Sequence, residues 1–170
     1  MMSVSIHKEA RLPQNAKEGI LFLLIVSFLS VNTIAPVIVG LERGFSLQVY
    51  KETLVILPFM WLIVMLVVLF IARPIVGKLM PVFTAAEDGF NARVLLTIVL
   101  NVTIISLLMT CIGMWVGTGR ISLDPLQQFM HIWPRNFGIA FWIEILFAQP
   151  IARFVMKQIH AMQDRKTVSA

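Results

Sequence analysis

Four stretches of this chain are almost continuously apolar: Ile20 to Gly40, Leu54 to Ala72, Val94 to Val116, and Phe137 to Ala148 with its flanks. A helix needs about 20 mostly apolar residues to cross roughly 30 Å of hydrocarbon. The first three stretches have that length. The fourth reaches it by starting near Ile132 and carrying Arg135 and Glu144 along. Strands of a membrane barrel would alternate apolar and polar residues over about 10 positions, and "IVMLVVLFIA" does not alternate. In hydrocarbon every backbone N–H and C=O must be satisfied internally, so the four runs are predicted to be helices.

The pattern is written twice. "IARPIVGKLM" ends at residue 80 and "FAQPIARFVM" at residue 156, 76 residues later. On that shift Ala16-Lys17 meets Ala92-Arg93, Ser30 meets Ser106, and Ser46-Leu47 meets Ser122-Leu123. Pro58 meets Pro134 and Pro74 meets Pro150, so each half holds two prolines at the same spacing of 16. The predicted fold is an all-α membrane protein, with four transmembrane helices arranged as two tandem two-helix repeats. Each unit crosses twice and both enter from one side, which calls for a pseudo-two-fold along the membrane normal. The expected organisation is an amino-terminal segment 1–16, a first repeat 17–80, a linker 81–92, a second repeat 93–158 and a short disordered tail 159–170. The first apolar run is too long for a signal core and has an internal counterpart, so it is expected to be retained.

The prolines predict shape. Pro58 and Pro134 fall inside long helices, where each removes a backbone bond and should bend its helix. Pro74 and Pro150 mark either a second bend or the exit from the membrane. Ser46 and Ser122 are expected to cap helix starts, and Pro125 falls in a first turn, where a missing N–H is harmless. "GMWVGTG" at 113–119 lacks the lysine and the strand–turn–helix setting of a phosphate loop and is expected to be a helix end.

Composition agrees: 58% hydrophobic residues, 14% charged ones and a mean hydropathy of +0.86 are not those of a soluble domain. The net charge of +5 could hint at nucleic acid, but its placement favours topology. Ten of the 14 Lys and Arg residues fall in the first segment, the middle connection and the tail, and four in the other two connections. Basic loops stay inside, so both termini are expected in the cytoplasm of a bacterial inner membrane, with lipid and no nucleic acid as partner. Cys111, the only cysteine, lies within the third run and reads as a small hydrophobe.

The unit with its late Ala-x-Pro and trailing basic residues, fullest in "WPRNFGIAFWIEILFAQPIARFVMKQI", resembles the bacterial membrane-protein family known as domain of unknown function 2798. The resemblance covers about Lys17 to Ile159 and implies one or two copies of a two-helix unit. It implies no reaction and brings no functional residues. The first copy departs from it, with Phe59-Met60 for Arg135-Asn136 and Arg73 for Gln149.

Glu144 is the one acid well inside an apolar run. A charge there costs about 2.5–3.5 kcal/mol on insertion scales, so it must be neutral, paired or facing a polar cavity. At 1.5 Å per residue, Glu144, Asn101 and Ser27 lie roughly 12–15 Å from their nearest basic boundary residues, a shared depth. They form the candidate polar site, either proton- or cation-responsive or serving as packing glue. Arg135 and Trp133 read as interface anchors or an outer gate. Asn32-Thr33 reads as a polar pair at a bend before Pro36. The ten methionines are scattered, and His7, His131 and His160 are far apart, so no metal or cofactor is expected. No catalytic constellation is visible. Two functions stand open. One is a non-enzymatic accessory or scaffold module, packed or oligomerised through small residues such as Gly138, Ala140 and Ala148. The other is a small permease that works as a homo-oligomer, with Glu144 as coupling acid.

Overall fold

A computed structural model describes residues 11–85 and 87–168. Most of the segment expected over 1–16 lies outside that range, as does Ala86 of the expected linker. Among the described residues four helical rods are long and apolar enough to cross a membrane: Ala16–Arg43, Leu47–Phe83, Phe90–Thr118 and Phe129–Gln163. The first is α1 (Ala16–Arg43) and the third α4 (Phe90–Thr118). The second joins α2 (Leu47–Val67) to α3 (Arg73–Phe83) through a π-helical turn, Val68–Ala72. The fourth follows the one-turn α5 (Asp124–Gln127) and joins α6 (Phe129–Ile143) to α7 (Gln149–Val168) through a second π turn, Glu144–Ala148.

The π turns answer to the prolines. A proline ring collides with the carbonyl four residues back and offers no N–H. For Pro74 and Pro150 those carbonyls belong to Phe70 and Leu146, inside the π turns. Widening the turn relieves the collision, and the ladder resumes with bonds from Arg73 N–H to Val68 O and from Gln149 N–H to Glu144 O. Pro74 and Pro150 therefore do not end their helices. The first rod with a π turn runs on to Phe83 and the second to Val168, so the expected disordered tail is helical through 159–168. The connection between halves shrinks to 84–89, where Asp88 Oδ2 accepts the Ala85 N–H.

The rods pack as a ring. α1 lies against α2 and against α6, α7 and the turn between them; α4 lies against α6, α2, α3 and both π turns. Among the described residues α1 and α4 do not meet, nor do the two rods that contain π turns. Ala72, Ala148 and Ala152 are completely buried where the rods close in, as small residues allow, and Met156 is completely buried beside them. The perimeter is apolar: Phe70, Val55 and Leu146 are largely exposed, an arrangement suited to lipid rather than water. Ser46 caps α2 as expected, accepting from Val49 N–H. Ser122 does not cap, because its hydroxyl donates to Asp124 Oδ2 instead. α4 ends at Gly119 in the left-handed region, φ 64°, as "GMWVGTG" suggested.

Candidate functional site

Glu144 begins the second π turn and faces α1. Its Oε2 accepts from Ser30 Oγ at 2.5 Å and its Oε1 from Gln149 Nε2 at 2.9 Å. Both donors are neutral, so the carboxyl ties α1 to the α6–α7 rod without an ion pair. The π turn makes the second bond. In a plain α-helix residues five apart point about 140° away from each other; the wider turn brings Gln149 back over Glu144.

The three residues expected at one depth do not converge. Ser27 donates to Leu24 O and accepts from Trp61 Nε1 at 3.0 Å, tying α1 to α2. Asn101 donates to Thr97 O on its own helix. Ser30, one turn from Ser27, takes the place expected for it. Depth was the right criterion for height, but it carries no information about rotation of a helix about its axis. Asn32 and Thr33 likewise bond back along α1, to Phe28 O and Leu29 O.

A matching seam joins α4 and α6. Trp133 Nε1 donates to Ser106 Oγ at 3.0 Å, and buried Asn136 Nδ2 donates to Thr110 Oγ1 at 3.3 Å. Trp133 thus faces the bundle, and it stands in a ladder of Phe129, Trp133, Phe137 and Phe141 with ring centroids 5.7–5.8 Å apart. Arg135 on α6 pairs with Glu42 at the end of α1 at 2.5 Å, both side chains partly exposed.

The opposite end holds a contact that sequence reasoning missed. Glu18 Oε2 lies 2.9 Å from His160 Nε2, both side chains buried. The same carboxylate accepts the Gln14 N–H and Asn15 Nδ2, while Asn15 Oδ1 caps the Glu18 N–H. His160 falls within the tail expected over 159–170. The signal was a period of four: Ala148, Ala152, Met156 and His160 form one buried stripe.

Two shallow grooves open on the surface. One of about 350 Å³ lies at the first hairpin, between Pro36, Gly40 and Phe45. The other, of about 190 Å³, runs between α4 and the second π turn and includes Gln149 and Arg153. Among the described residues no three His, Cys, Asp or Glu side chains gather as metal ligands would. The arrangement can hold helices in register through Ser30, Glu144 and Gln149.

Residues 90–160 match the model of a family described as a domain of unknown function (DUF2798). That match spans α4 through most of α7, the half that carries Glu144. No curated protein and no solved structure matches the chain.

Proposed function

We propose that this is a non-catalytic membrane module, an accessory or scaffold protein of a bacterial inner membrane, with both termini cytoplasmic. It is built from two tandem two-helix units related by a pseudo-two-fold along the membrane normal. The prolines, the π turns that precede them and the buried Ala72 and Ala148 all recur at the 76-residue shift. Each unit's first helix also leans on the other unit's rod with a π turn. These support the repeat.

The observation that carries the scaffold role is the state of Glu144. Both its oxygens are engaged by neutral donors, one on a neighbouring helix. Such a carboxyl serves as an interhelical tie. A second reading, a homo-oligomeric permease with Glu144 as coupling acid, is favoured by Gln149, which touches Glu144 and also lines an open groove. The two readings part on water access. In a Cys111→Ala background, cysteines placed at 101 and 144 should resist a water-soluble maleimide in intact vesicles. Proteoliposomes should hold an imposed pH gradient as well as empty vesicles do. Labelling at both positions, with a leak abolished by Glu144→Gln, would overturn the scaffold role.

A further inference from the structure

The groove between α4 and the α6–α7 rod has two unlike ends. Asn91 and Arg153 stand at the end where α4 begins. Gln149 lies between, and Val94, Ile98 and Ile145 line the rest. α4 and the fourth rod run in opposite directions, so Asn91 is level with Arg153 and Ile98 with Ile145. From Arg153 to Ile145 is eight residues, or about 12 Å of rise. The charged end therefore sits at the membrane boundary and the apolar end within hydrocarbon. Leu95 and Pro150 on its lining are exposed, so the groove opens on the outside of the ring, the side that would meet lipid.

A cation at the boundary above a lateral apolar trough is complementary to one kind of molecule, a phospholipid with an anionic headgroup. Basic pockets between membrane helices take such headgroups. We infer that this groove binds one anionic phospholipid of the leaflet at which α4 begins, its phosphate on Arg153 and Asn91 and an acyl chain along Val94, Ile98 and Ile145. The site depends on the chain's seating in a bilayer and not on the scaffold role.

Intact-mass measurement of the delipidated protein in detergent tests it, with phosphatidylglycerol or phosphatidylcholine of identical chains as probes. The wild type should retain one phosphatidylglycerol per chain with roughly fivefold preference, the effect of about one basic residue. Arg153→Gln should erase the preference. Lys157→Gln, exposed one turn further on and outside the groove, should keep it. Val94→Trp, which fills the trough at a half-exposed position, should lower retention of both lipids. No preference in the wild type, equal losses in the two cation variants, full retention after Val94→Trp, or displacement of the lipid by excess inorganic phosphate would each overturn the inference.

Discussion

Removing the Glu144 tie should loosen the bundle by an amount that can be worked out in advance. Hydrogen bonds between membrane helices average about 0.6 kcal/mol and reach about 1.7. Glu144 accepts one such bond, from Ser30, and a second from Gln149 on its own rod that joins no helices, so Glu144→Leu should cost roughly 0.6–1.7 kcal/mol. An opposing effect has to be weighed, because a charged side chain at mid-membrane is itself unfavourable by about 2.5–3.5 kcal/mol. When unfolding is driven by sodium dodecyl sulfate, the helices stay in a micelle. The carboxyl's surroundings then change little, and this effect largely cancels. The bond loss should win. Ser30→Ala should cost about 0.6–1.7 kcal/mol. Glu144→Gln should cost less than about one average bond, ~0.6 kcal/mol, because its amide oxygen still accepts from Gln149 while its NH₂ donates to the Ser30 hydroxyl. Titration from dodecyl maltoside into dodecyl sulfate, followed by circular dichroism, measures all three. A cycle combining Ser30→Ala with Glu144→Leu should return a coupling near the Ser30 bond alone. Zero coupling would mean that the contact has no energetic role. A Glu144→Gln variant as weak as Glu144→Leu would mean that the ionised carboxylate is what the site needs, and the tie would be refuted.

Three further outcomes use the same titration. Trp61→Phe and Trp133→Phe each lose one indole bond to a buried serine and should each lower stability by about 0.6 kcal/mol, with little effect on one another. Ala152→Leu places a large side chain where none of the alanine is exposed; overpacking should cost about 1–3 kcal/mol, while Val55→Leu on the exposed perimeter should be silent. Gly44→Ala forces a Cβ onto φ 89° and ψ 150° in the first hairpin, a region almost reserved for glycine, and should cost about 1–3 kcal/mol.

The four rods were legible because hydropathy reports burial in lipid directly, and the prolines pointed to the places where helical geometry changes. What the prolines do was not legible. A proline can stop a helix, kink it or draw in an extra residue, and the choice at Pro74 and Pro150 depends on how the rods pack. The height of Glu144 could be read from its distance to Arg153, but its partner could not. Ser27, Ser30 and Asn101 all offer hydrogen bonds near that height, and only rotation about the axes selects Ser30. That rotation is tied to Ala148 and Ala152, whose small methyl side chains let the rod approach. Ser122 misled because Asp124, two residues on, takes its hydroxyl. His160 was hidden by the polar residues around it, although its place in the buried stripe was visible at a spacing of four.

The second π turn gives the stretch between 144 and 148 a reserve of length. It holds one residue more than a plain turn and takes that residue up locally, so Gln149 returns over Glu144 while Ala152, Met156 and His160 keep to the buried face beyond it. Loss of one exposed residue there, Leu146 or Phe147, would close the turn to plain α-helix, leave the stripe in place and return the Pro150 ring to its collision. An added residue has no such reserve and would swing everything beyond it by about 100°. A one-codon deletion in this stretch should therefore be absorbed more readily than a one-codon insertion.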